Sequence, residues 1–141
     1  IGDEAERIAR MALHLIDNGC QGNNCPGLEG IESMSERVQK MLHEVLDALA
    51  RLDAESALQV AHEDLKVNKE YKAITRQIVT FMMEDPRTIG RGIDMLWVAR
   101  ALERIGDHAR NIGEYIIYLV KGKDVRHTTL EQMEKAVREK D

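Results

Sequence analysis

At 141 residues the chain has the length of one compact domain, and its apolar fraction of 43% is enough to bury a core. Only two prolines and one phenylalanine interrupt a background of Ala, Leu, Glu, Lys, Arg and Met, so an almost wholly helical fold is expected. The net charge of -5 excludes a general attraction to nucleic acid, and the longest apolar run, Ile116 to Val120, is too short to insert into a membrane.

The first predicted helix carries Ile1, Ala5, Ile8, Ala12 and Leu15, apolar positions four and three apart. Asn18-Gly19 closes it, since glycine accepts the left-handed backbone that ends a helix. The chain opens inside a motif and shows no secretory leader, so its natural start is expected upstream. Residues 19–30, with their glycines and Pro26, predict a linker. Cys20 and Cys25 within it make a poor zinc site and are expected as reduced thiols, with a disulfide as the alternative.

Ser33-Met-Ser-Glu36 predicts a helix start by a capping box, followed by the stripe Met34, Val38, Met41, Val45, Ala48 and Leu52. Asp53 caps the next helix, which runs to about Met83 with Ala57, Val60, Asp64, Val67, Tyr71, Ile74, Ile78 and Phe81 on one side. Glu84-Asp85-Pro86 stops and restarts the chain. A long helix to Lys121 then presents the seam Met95, Val98, Leu102, Ile105, Ala109, Ile112, Ile116 and Leu119, closed by Gly122. Leu96, Trp97, Ile117 and Tyr118 fall off that seam and predict a contact with a neighbouring unit or a second subunit, a homodimer being the preferred use. Thr128-Thr-Leu-Glu131 starts a short polar helix, expected to be poorly anchored.

The chain also repeats itself: Ile1, Gly2, Asp3, Ala5, Ile8 and Leu15 recur as Ile105, Gly106, Asp107, Ala109, Ile112 and Leu119. The expected fold class is therefore all-α. It comprises an antiparallel three-helix bundle over 31–122, the last helix of an equivalent preceding bundle over 1–18, the linker 19–30, and a tail with a short helix over 123–141.

Glu103 and Asp107 stand one turn apart on one helix face, and Asn111 and Glu114 extend the row. Arg100, Arg104 and Arg110 are close enough in sequence to neutralise it. Asp64 interrupts an apolar stripe, and a buried carboxylate is expensive unless paired or bound to a cation. Asn68, four residues on, adds an oxygen. Such hard ligands suit magnesium, calcium, manganese or iron, and the position of the Glu103 row places any metal at the bundle's flank. Glu-x-x-His pairs, a Gly-rich phosphate loop and His-Glu-x-x-His are all missing from the sequence, so an enzyme is not expected. A carboxylate-rich metal-binding protein, either a metal-dependent enzyme or a metal store, is the alternative, and a purely structural helical module is a third reading.

The stretches Ala101-Leu-Glu-Arg-Ile-Gly-Asp-His-Ala-Arg-Asn-Ile-Gly-Glu114, Ile116 to His127 and Met82-Met-Glu-Asp-Pro-Arg87 closely resemble the PhoU family. The resemblance implies tandem, commonly dimeric three-helix bundles in the cytoplasm, in which Glu/Asp-x-x-x-Asp motifs bind metal ions such as iron or zinc. It implies negative regulation of phosphate uptake and phosphate-starvation signalling, as an adaptor between the phosphate transporter's ATPase subunit and the sensor histidine kinase of the phosphate regulon. By position, Glu103 and Asp107, Asp64, and Asp3 match the family's acids, while Asn68 departs from the usual second aspartate. Magnesium and manganese remain alternatives to iron and zinc.

Overall fold

The structure is a computed structural model that describes residues 1–17, 19–20, 25 and 27–139. In chain order it forms α1 (Gly2–Asp17), α2 (Leu28–Arg51), α3 (Ala54–Glu84), a 3-10 turn (Pro86–Thr88), α4 (Ile89–Lys121) and α5 (Leu130–Arg138), with no strand among the described residues. The helices α2, α3 and α4 pack on one another as the predicted bundle, and the α3–α4 interface is the most extensive. Met34, Val38, Met41 and Val45 of α2, Val60, Val67 and Ile78 of α3, and Met95 and Ile116 of α4 are fully or almost fully buried. Each such side chain contributes about 1.5–3 kcal/mol by leaving water, so the three-four seams supply most of the driving force.

The ends of the helices follow local chemistry. The Asp53 carboxylate accepts the Ser56 backbone N–H at 3.1 Å and its hydroxyl at 2.7 Å, as its position predicts. Asp85 accepts the Arg87 N–H, and Pro86 opens the turn into α4. Gly122 ends α4 in the left-handed region at φ 69°.

Several expectations are corrected. The second helix begins at Leu28, not at Ser33, which lies inside α2. Gly27 and Gly30 serve as points of close approach: a Cβ on either would come within 2.9 and 2.8 Å of Ile78 and Ile74, respectively. Leu52 leaves its stripe because α2 stops at Arg51 and Leu52 turns left-handed at φ 52°. Phe81 and Leu119, each in the last turn of its helix, are exposed, whereas Ile117 is fully buried rather than available to a partner.

The terminal helix is well anchored. Its capping box is Thr129 with Gln132, one residue beyond the predicted Thr128. Met133, Ala136 and Val137 are buried in the same core as Ile117 and Val125. The structure also brings Cys20 and Cys25 together, with Cα atoms 5.6 Å apart, the arrangement that the disulfide alternative needs. That spacing lies within the usual disulfide range. Gly19 is left-handed after α1, while Asn18 and Pro26 lie outside the described residues.

Helix α1 lies against α4 alone among the helices, with Ile8, Met11 and Leu15 packed towards the core. Ion pairs Arg104–Glu4 and His14–Asp94 join low numbers on one helix to high numbers on the other, so the pair is antiparallel. Its buried stripe is Glu4, Ile8, Met11 and Leu15, and Ile1, Ala5 and Ala12 face outward.

Candidate functional site

The second half of α4 brings a row of acids alongside α3. Asp64 of α3 is 1% exposed, and its Oδ2 accepts from Arg110 Nη1 at 3.4 Å. The same guanidinium donates through Nε to Glu114 Oε1 at 3.3 Å, so Arg110 bridges two buried carboxylates. Desolvation pushes the Asp64 carboxyl above its usual range, and the nearby Asp107 charge pushes it further, against the pull of Arg110. Glu114 is raised by the same burial, again opposed by Arg110.

The remaining predicted residues are less enclosed. Glu103 is half-buried, and both its oxygens accept from Arg100 Nη1 at 3.1 Å. Asp107, also half-buried, has no ion-pair partner among the described residues, although its charge reaches Asp64. Asn68 is half-buried one turn after Asp64, and Asp3 is exposed on the first turn of α1. The structure therefore brings Asp64, Asp107 and Glu103 into one electrostatic neighbourhood and places Asp3 on the outer surface of a different helix.

As arranged around Arg110, this set does not present a ready ligand cluster for a metal. Among the described residues no three His, Cys, Asp or Glu side chains stand close enough to hold an ion. Asp64 Oδ1 is buried without a hydrogen-bond partner and lies 3.3 Å from where a Cβ on Gly106 would stand, a point that Val67 and Val38 also approach, within 3.5 and 3.9 Å. Glycine at 106 is what lets the carboxylate approach the α4 backbone.

Three charged residues escaped the sequence argument. Glu4, and not Asp3, is the buried acid of α1, and it forms an ion pair with Arg104 at 3.2 Å. Asp94 is buried on α4 against His14. Arg37 holds Glu63 at 2.8 Å and Glu70 at 2.5 Å across α2 and α3. The signal for Glu4 was available: Glu4, Ile8, Met11 and Leu15 have the same four-three-four spacing that singles out Asp64. Near the end of α4, Glu114, Tyr115, Tyr118, Asp124 and Arg126 line a cavity of about 320 Å³. Trp97 is half exposed on the α1 side, with the Arg7 guanidinium 5.8 Å from its ring.

Long seamed helices with acids and arginines on a shared flank define an all-α bundle. The chain belongs to the PhoU family: the PhoU domain matches residues 31–116, which is most of the bundle. It is 50% identical over 137 residues, 97% of this chain and 55% of the relative, to the phosphate-specific transport system accessory protein PhoU homolog of Pseudomonas aeruginosa. Over 141 residues it is 45% identical to the PhoU accessory protein of Escherichia coli, covering 57% of that protein. The crystal structure of PhoU from Pseudomonas aeruginosa superposes with a TM-score of 0.82 at 50% identity, covering 86% of this chain and 57% of the other. For the phosphate transport system regulatory protein PhoU from Streptococcus pneumoniae the TM-score is 0.76 at 29% identity, over 88% of this chain and 56% of that one. The chain thus spans a little over half the length of these relatives. No described helix is long and apolar enough to cross a membrane.

Proposed function

We propose that this chain acts as an accessory regulator of phosphate transport: a non-enzymatic cytoplasmic adaptor that restrains uptake and phosphate-starvation signalling through the transporter's ATPase subunit and the sensor histidine kinase. The observation that carries the proposal is membership of the PhoU family at 50% identity to a phosphate transport accessory protein. The flank chemistry suits the role, because its buried acids are engaged by arginines and so shape helix contacts. The same proposal includes a tandem organisation in which α1 is the counterpart of α4 in an equivalent unit. The recurring Ile-Gly-Asp stretch and the antiparallel α1–α4 pairing support this. It also includes a homodimer, supported by the exposed Trp97, Tyr115, Tyr118 and Leu119 on α4.

The test is complementation in a bacterium lacking its own PhoU, read through a phosphate-responsive reporter, with co-purification on the tagged ATPase subunit and the kinase. Restored repression at high phosphate with capture by both partners is the expected result. An unrepressed reporter with no capture, from protein that circular dichroism shows to be folded, would sink the proposal. Equilibrium sedimentation at micromolar concentration checks the dimer, and a single monomer species removes it.

A further inference from the structure

We propose that the Arg110 guanidinium is the built-in cation of the α3–α4 flank, occupying the electrostatic role that a bound divalent ion would otherwise fill between Asp64 and the acid row of α4. The argument is geometric. Arg110 donates to Asp64 at 3.4 Å and to Glu114 at 3.3 Å, so one delocalised charge serves two buried carboxylates on two helices. A guanidinium suits this task because its fixed fork presents several donors and it stays charged at any physiological pH. The other acid with a strong partner, Glu103, is held through both oxygens by Arg100.

Two further observations count against a second cation. The spare oxygen of Asp64 is buried and packed close to Gly106, at a spot that Val67 and Val38 also approach, so it is screened from the solvent side of the flank. Asn68, one helical turn after Asp64, carries no charge, so that row of α3 offers an ion the Asp64 carboxylate alone. A hard divalent ion takes about six or more oxygen ligands, water among them, and here it would sit next to an existing positive charge. Arginine and metal are therefore alternatives at this flank, and this chain uses arginine.

The experiment is a manganese titration of the full chain after EDTA treatment, followed by calorimetry and by the spectrum of free Mn²⁺. The unaltered chain and Asp64→Asn should both lack a stoichiometric site. Arg110→Gln should bind Mn²⁺ about tenfold or more tightly than the unaltered chain, because a neighbouring positive charge is gone. Adding Asp64→Asn to that variant should abolish the gain. One Mn²⁺ per unaltered chain, lost in Asp64→Asn, overturns the proposal, and so does a folded Arg110→Gln that binds no more tightly. If Arg110→Gln does not fold, Arg110→Lys decides: folding restored by lysine supports a need for the charge, and failure of both variants overturns it.

Discussion

Two interfaces of α4 solve the same problem in different settings. Towards α3, the Asp64 carboxylate lies inside an apolar seam that continues on both sides of it, from Val60 to Val67 and from Leu102 to Ala109. Towards α1, the Glu4 carboxylate lies at the end of a helix whose apolar face is only Ile8, Met11 and Leu15, while Leu13 and Ile16 remain exposed. Both acids meet an arginine, Arg110 or Arg104. In the bundle the seam sets the position of the acid, and arginine limits the harm of burying it. At α1 the ion pairs supplement a shorter apolar face of Ile8, Met11 and Leu15. The lesson is that equal burial of a carboxylate does not imply an equal contribution: the surroundings decide whether its partner is a tolerance or a fastening.

The comparison breaks first if the seam is not dominant. Ile78→Ala, at a fully buried position, should lose about 2–5 kcal/mol of stability in urea unfolding. A loss near zero would mean that the α3 seam is not what holds the bundle.

Next is Arg110→Ala, which leaves Asp64 and Glu114 without their counter-charge and should cost about 2–4 kcal/mol at neutral pH. The loss should shrink in acid. Both carboxyls are raised in the folded protein, so folding binds their protons more readily. Their contribution to stability is therefore fully present below the ordinary carboxylate range and is lost as pH rises through the raised folded values. Denaturation followed from pH 7 to pH 4 checks this, and an equal loss at both ends would contradict it.

Glu4→Gln should cost about 1 kcal/mol, and the effect should be local. Hydrogen exchange is expected to quicken in α1 while α2, α3 and α4 keep their protection; equal quickening throughout would erase the distinction between the two interfaces. Thr129→Ala should have the smallest effect of the four, about 0.5–1 kcal/mol confined to α5, since only its capping box is removed. Exchange of the α5 amides reads this directly.

The bundle was legible because long stripes such as Met34 to Ala48 and Met95 to Ile116 have a single helical period and no competing pattern. The start of α2 was not, since Gly27 and Gly30 look like linker residues until Ile74 and Ile78, more than forty positions away, show why no side chain fits there. The anchoring of α5 was hidden for a related reason. Met133 and Val137 are sparse in a polar segment, and their burial depends on a surface formed by α3 and α4. At the flank, Asp64 was visible as an anomaly in a stripe, and Arg110 as one of three nearby arginines. Which arginine it meets, and which way its second oxygen turns, depends on the helix pairing and cannot be deduced from spacing.

The most direct test of the arginine bridge is a double-mutant cycle between Asp64→Asn and Arg110→Gln, measured by urea unfolding at pH 7 with EDTA present. A bridge across α3 and α4 predicts a coupling of at least about 1 kcal/mol that fades towards pH 3 as the carboxyl protonates. Strict additivity at pH 7, with both single variants folded, would contradict it.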